Sequence, residues 1–157
     1  MLNAWLHVVS LVVYLGAVYG FWFVLLPVVS GLRSHQDKTQ LLARGLKFYN
    51  PLQVGALGMM LFSGAFQLTE LKAAYRETFV QQLGFQLGIK LTLVFMVVLF
   101  SVYQSMGIGH RFVKRHEAGE LVTEQELQTV LKRLTAANWL IVPFALAAIW
   151  FGLRLTV

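Results

Sequence analysis

Four long apolar runs, separated by short polar segments, form the main pattern of this chain. The third run, from Gly84 to Tyr103, is interrupted by a single charged residue, Lys90. About 20 apolar residues span the hydrocarbon of a bilayer at a rise of about 1.5 Å per residue, so each run predicts a membrane-spanning helix. We place the four spans at residues 4–29, 51–69, 84–105 and 138–153.

The two longest polar segments predict helices that extend beyond the apolar runs. Residues 37–47 have helical character and lead into the second span, with Pro51 in the first turn of that span. Farther along, Thr123 and Glu126 have the spacing of a capping box. The apolar residues that follow recur at helical spacing: Leu127, Val130, Leu131 and Leu134. That helix should continue into the fourth span, whereas residues 70–77 are expected to form a short loop.

The distribution of basic residues predicts the orientation in the membrane. The first and third polar segments carry nine of the 13 Lys and Arg residues: Arg33, Lys38, Arg44, Lys47, Arg111, Lys114, Arg115, Lys132 and Arg133. Short loops rich in Lys and Arg lie on the cytoplasmic side, so both termini should be outside. The sequence therefore predicts one domain over residues 1–157, an all-α integral membrane four-helix bundle with cytoplasmic helical extensions, in the plasma (inner) membrane.

Composition agrees with a membrane protein and excludes several kinds of function. Hydrophobic residues make up 57% of the chain and charged residues 13%, against about 25% charged in a soluble domain. The loops account for the net charge of +6, so the expected partner is the lipid bilayer and not nucleic acid. The absence of Cys excludes disulfides, Cys-ligated zinc, iron–sulfur clusters and thiolate copper sites. No HExxH, GxSxG, Walker or GxGxxG pattern supports a hydrolase or nucleotide-binding function.

Two ionisable side chains lie within the apolar runs, in the same leaflet. By helical rise, His7 lies about 5 Å and Lys90 about 10 Å below the outer edge of its span. An ammonium near a helix centre costs about 3 kcal/mol on insertion scales, so its presence calls for a reason. One interpretation is a polar pocket between the first and third spans, in which His7 is a ligand or proton-transfer group and Lys90 binds an anion such as a porphyrin propionate. In the alternative, Lys90 extends to the headgroups and His7 lies in the interface.

Haem b and copper are the two cofactors that the sequence leaves open. The remaining histidines lie at or beyond the cytoplasmic end: His35, His110 and His116. A haem held by two histidines of one chain is therefore not expected, whereas a haem with His7 as its one histidine ligand, or a site shared with another subunit, fits the sequence. Three methionines lie near mid-membrane: Met59, Met60 and Met96. Thioethers suit Cu(I), although Met also fills gaps in apolar cores.

A weak internal repeat relates the second and fourth spans. At a constant offset, Leu42, Arg44, Leu46, Asn50, Leu52 and Val54 match Val130, Lys132, Leu134, Asn138, Leu140 and Val142. The repeat predicts two related helical hairpins. His7 then lies near the start of one hairpin and Lys90 near the start of the other.

Loose motifs occur in four stretches that cover most of the chain. They are an LH opening the first span, an NP entering the second, one Lys in the third and an Asn opening the fourth. The stretches are WLHVVSLVVYLGAVYGFWFVLLP, GLKFYNPLQVGALGMMLFSGAF, LGIKLTLVFMVVLFSVY and LKRLTAANWLIVPFALAAIWFG. On these residues the chain resembles the CopD-like group of small membrane proteins, a neighbourhood that includes the HemJ-type protoporphyrinogen oxidases.

The resemblance implies specific cofactors and residues. In the HemJ type a first-span His and a third-span Lys are the functional pair and haem b is implied; His7 and Lys90 fall on those positions. HemJ-type proteins have an Arg directly after a Leu-Pro in span one, where this chain has Val28. CopD-like members are linked to copper passage.

Three functions follow as expectations. The leading one is a membrane protein that binds or handles haem or copper at an outer-leaflet site near His7 and Lys90. The second is an oxidoreductase of the HemJ type acting on a porphyrinogen. The third is an accessory subunit of a larger respiratory or photosynthetic complex, and a homo-oligomer is a further expectation for the partners.

Overall fold

The fold is all-α, as the sequence predicts. A computed structural model describes residues 2–154, so residues 1 and 155–157 of the predicted domain lie outside the described residues. Within the described part, the residues outside helices are 32–34 and 118–123, and no strand occurs there.

Five helices follow one another within residues 2–154. They are α1 (Leu2–Gly31), α2 (His35–Tyr75), α3 (Phe79–Val102), α4 (Arg111–Glu117) and α5 (Glu124–Arg154). A π-helical segment, Gly20–Leu25, interrupts α1, and a second one, Tyr103–His110, joins α3 to α4. A single 3₁₀ turn, Arg76–Thr78, joins α2 to α3, and Arg76 there has a positive φ of 45°.

Three helical stretches are long and apolar enough to cross a membrane: Leu2–Gly31, His35–Glu117 and Glu124–Arg154. The second stretch contains both α2 and α3 and reverses direction, since Asn50 on α2 hydrogen-bonds the carbonyl oxygen of Ser105 at 3.3 Å. Large apolar side chains on these helices are well exposed, among them Trp5 at 69% and Phe62 at 64%. Exposed apolar faces of this extent are those of a helical membrane protein.

The helices extend farther than the apolar runs indicate. Most of residues 70–77, expected as a loop, is helical, because α2 continues to Tyr75 through the helix-favouring residues Leu71–Ala74. At its other end α2 begins at His35, capped by the Ser34 hydroxyl, so Pro51 lies inside the helix and not in its first turn. The predicted capping box of α5 is present, with Thr123 and Glu126 each accepting from the other's backbone N–H.

The helices pack as two pairs, α1 with α2 and α3 with α5. We call the end of the molecule that carries residues 32–34 and 118–123 the loop end, and the opposite end the terminal end. Two groups of buried apolar side chains form the core. The loop-end cluster contains Phe21, Leu42, Leu46, Ile108, Leu127 and Leu134 among others. The mid-span cluster contains Val18, Leu57, Met60, Val97, Ile141 and Val142 among others.

Ion pairs join the helices at the loop end. The pKa of Glu124 lies below its usual value because Gln128 and His35 hydrogen-bond its carboxylate and Lys38 is nearby. The pKa of Glu117 is lowered by its ion pair with Lys47. These contacts connect the start of α2 to α4 and α5, and they hold the predicted helical extensions together.

Candidate functional site

His7 is held against α2 by one edge of its ring. Its Nδ1 lies 3.0 Å from the carbonyl oxygen of Met60 and 3.0 Å from the hydroxyl of Ser63, which is fully buried. Gly64 follows directly on α2, where a Cβ atom would lie 3.3 Å from Cε1 of His7. The absence of a side chain at Gly64 therefore lets the ring pack closely against the α2 backbone.

This contact determines which nitrogen of the His7 ring carries the proton. A carbonyl oxygen only accepts hydrogen bonds, so Nδ1 must be the protonated nitrogen. The Ser63 hydroxyl donates to the carbonyls of Met59 and Met60, which leaves its oxygen free to accept from Nδ1 as well. In the neutral ring, Nε2 then has its lone pair available, and it has no hydrogen-bond partner among residues 2–154. Metal-bound histidines are commonly oriented by such a backbone contact at the other nitrogen.

Lys90 packs against α5 at a second glycine. A Cβ atom at Gly152 would lie 3.2 Å from Lys90 Nζ and 3.3 Å from its Cε, and the side chain is partly buried there. In the part of the chain that the structure describes, no carboxylate forms an ion pair with this ammonium. Lys90 and His7 contact different partner helices, α5 and α2 respectively.

Polar side chains cover the terminal end next to His7. Asn3, one turn before His7 on α1, donates to the carboxylate of Glu70 at 3.1 Å. Gln67 donates to the backbone oxygen of Asn3 at 3.5 Å. These contacts fix the α1–α2 pair at the height of the site.

The three predicted sulfur ligands have different environments. Met60 is 8% exposed and belongs to the mid-span cluster, whereas the adjacent Met59 is 51% exposed and faces outward. Met96 is partly buried. Met59 and Met60 thus point to different faces of α2, and a copper ion bound by both would require one of them to turn. The structure also has no group of three or more His, Asp or Glu side chains placed to hold a metal ion within the described residues.

The structure adds several residues around the site that the sequence does not indicate. They are Ser63 and the two glycines beside His7 and Lys90, although Gly64 follows Asn50 at the same interval as Gly152 follows Asn138. The internal repeat could have revealed that pair. A buried hydrogen bond deeper in the core, between Tyr14 and Ser101 at 2.6 Å, was also missed because each residue is a lone polar position in an apolar run.

Comparisons with known proteins give no relative for this chain. No protein-family model, no curated protein and no solved structure matches it. Its assignment to a group of membrane proteins therefore depends on the resemblance of its motifs alone.

Proposed function

We propose that the chain is a four-helix bundle of the plasma membrane in which α1, α2, α3 and α5 each cross the bilayer. Support comes from the reversal at Arg76, which turns α2 and α3 into antiparallel neighbours, and from the pairing of α1 with α2 and of α3 with α5. The concentration of Lys and Arg at the loop end favours a cytoplasmic loop end and termini outside. A cysteine-accessibility assay on residue 2 and residue 119 variants in intact cells tests this orientation.

Within this bundle, we propose that His7 and Lys90 bind haem b near the terminal end. The observation that carries the proposal is the contact of His7 Nδ1 with the Met60 carbonyl, because it leaves Nε2 as a preoriented ligand. His7 would hold the iron through Nε2, and the Lys90 ammonium would pair with a propionate. The glycines beside both side chains let each side chain pack closely against its partner helix. The iron would supply redox chemistry, and the chain's own residues supply ligand, orientation and counter-charge.

A visible absorption spectrum of the purified protein tests this proposal. We expect a Soret band that is lost in His7→Ala and retained in His110→Ala, since His110 is exposed and lies at the loop end. Lys90→Met should keep the band but weaken haem retention. A colourless protein, or a band unchanged in His7→Ala, would contradict the proposal.

Copper is the alternative to haem b at this site. Metal analysis of the same purified protein distinguishes the two. The unprotonated Nε2 of His7 also suits copper, and Met96 is the predicted sulfur ligand that is neither core-packed nor well exposed. Metal analysis showing copper without a Soret band, reduced in His7→Ala, would favour copper handling.

Exposed apolar faces favour a further role as a subunit of a homo-oligomer or of a larger membrane complex. Phe95 and Leu99, on one face of α3, are 60% and 50% exposed, and lipid or a partner helix would cover them. Porphyrinogen oxidation of the HemJ type is a proposal carried by the resemblance alone. Its test is the appearance of porphyrin fluorescence when a porphyrinogen is added to the haem-loaded protein but not to His7→Ala.

A further inference from the structure

A layer of polar side chains crosses the core between the two apolar clusters. On α5, Asn138 lies between Leu134 of the loop-end cluster and Ile141 of the mid-span cluster. On α2, Gln53 lies in the same way between Leu46 and Leu57. The chain after Val97 contributes Ser101, Gln104 and Ser105 before Ile108 returns to the loop-end cluster. We call these residues, with Tyr14, the polar layer.

The polar layer is fully buried, and its hydrogen bonds are incomplete. Its six side chains are at most 1% exposed: Tyr14, Gln53, Ser101, Gln104, Ser105 and Asn138. Tyr14 and Ser101 satisfy one another. Four atoms have no hydrogen-bond partner among the described residues: Gln53 Nε2, Gln104 Oε1, Ser105 Oγ and Asn138 Oδ1. Leaving such atoms unpaired in a core is costly, so a native structure satisfies them by some means.

The local backbone supports a binding role for this layer. Gln104 and Ser105 both lie in the π-helical segment Tyr103–His110. Helical turns of this type are rare and occur often at functional sites. The Ser105 carbonyl accepts from Asn50, so the segment is also tied to α2 at this height.

We propose that the polar layer is an internal water site, separate from the His7 and Lys90 site. The two amide oxygens of Gln104 and Asn138 accept hydrogen bonds only, whereas Gln53 Nε2 and the Ser105 hydroxyl donate them. Water both donates and accepts hydrogen bonds, so it can serve both kinds of atom. Buried waters make about three such bonds to polar groups that the protein leaves unpaired.

The same atoms make a poor cation site. A Mg²⁺ or Ca²⁺ ion would need oxygen ligands alone, and the layer presents an amide N–H from Gln53. No Asp or Glu belongs to the layer, so it has no negative charge to offset a divalent ion. Water is the ligand that uses both the donors and the acceptors.

Stability of the full chain in detergent tests the proposal through two matched substitutions. If water bridges the layer, Gln104→Leu and Asn138→Leu each leave other partners unpaired, and each should lower the unfolding midpoint by a few degrees. Gln86→Leu, on an exposed face of α3, is the control and should leave the midpoint unchanged. Variants that raise the midpoint would show a dry layer and overturn the proposal.

Radiolytic hydroxyl-radical labelling in ¹⁸O water gives a second test on the unsubstituted protein. Tyr14 and Phe21 are buried aromatic residues of α1, at 0% and 1% exposure, and only Tyr14 belongs to the polar layer. Radicals formed from an internal water should label Tyr14 several-fold more than Phe21 after correction by the rates in the unfolded chain. Equal labelling of the two residues would overturn the proposal, whatever the outcome for haem.

Discussion

The two helix pairs present different polar groups from matching positions. In the α1–α2 pair, His7 precedes the π-helical segment Gly20–Leu25. In the α3–α5 pair, Lys90 precedes the segment Tyr103–His110 by the same number of residues. Each side chain packs against a glycine of its partner helix, Gly64 or Gly152. The pairs differ at the preceding residue of that helix, which is Ser63 beside His7 and Phe151 in the second pair.

Because of this difference, His7 has a fixed orientation whereas Lys90 can change its conformation. Two hydrogen-bond acceptors fix the rigid His7 ring, and the tautomer follows from them. Lys90 has four rotatable bonds and no described carboxylate partner, so its ammonium can take several positions. One scaffold thus holds a fixed imidazole in one half and a movable ammonium in the other.

The largest expected effect tests whether the pairs contribute equally to stability. Leu46 and Leu134 are matched by the internal repeat, and both are fully buried in the loop-end cluster. Leu46→Ala and Leu134→Ala should each lower the free energy of unfolding by about 2–5 kcal/mol, through lost burial and the cavity left behind. Chemical unfolding in detergent measures the loss. If only one variant loses free energy of unfolding, the matched positions of the repeat do not contribute equally to stability.

The orientation of His7 can be tested at Ser63. Ser63→Ala removes one acceptor of Nδ1 and leaves the Met60 carbonyl, so the tautomer persists with a looser ring. We expect haem affinity to fall about 10-fold, the lower end of the effect of removing a ligand's supporting contact. Titration of apoprotein with haem measures it. Ser101→Ala, deeper in the core, is the matched control, and an equal fall there would contradict a specific role for Ser63.

Substitutions at Gly64 and Gly152 compare the rigid His7 ring with the movable Lys90 side chain. An alanine methyl at residue 64 would press on the His7 ring, whereas one at residue 152 would meet the flexible end of Lys90. Gly152→Ala should therefore gain up to about 1 kcal/mol of helix stability, since the lysine can shift. Gly64→Ala should gain little and weaken haem binding. Thermal unfolding and haem titration of both variants measure the contrast, and identical behaviour would remove the distinction.

The smallest expected effect concerns pH at the loop end. The pKa values of Glu117, Glu124 and Glu126 lie below the usual range, through Lys47, through Gln128 with His35, and through the Thr123 backbone N–H respectively. Carboxylates with lowered pKa stabilise the folded state above the usual glutamate pKa, and the contribution disappears as pH falls through the lowered values. The exchange of residues 118–123, corrected for the intrinsic pH dependence of amide exchange, should quicken over that acidic range. Glu124→Gln should show part of the increase at neutral pH, and a corrected exchange rate independent of pH would contradict the role of these carboxylates.

The sequence predicts the helices better than it predicts their ends. Apolar runs mark where hydrocarbon would surround a helix, but α2 continues through Lys72 because a helix needs no apolar residues beyond the bilayer. The capping box at Thr123 was predictable because side-chain spacing defines it. The π-helical segments were not, since one extra residue in a turn leaves little trace in an apolar run.

The candidate site was predicted in part. His7 and Lys90 are conspicuous because isolated charges and imidazoles are rare in apolar runs. The polar layer depends on Gln53, Gln104 and Asn138 from three separate segments, and no local pattern shows that they meet. Their height in the bundle follows only from how the helices pack.

The length of α2 has a mechanical consequence. Its 41 residues form one rod of about 60 Å, roughly twice the thickness of the hydrocarbon. The same rod bears Lys38 near one end, Gln53 in the polar layer and Ser63 beside His7. A protein that twisted or tilted the loop end would move α2 along its length. The displacement would reach the His7 imidazole, which lies beside α2 toward the opposite end.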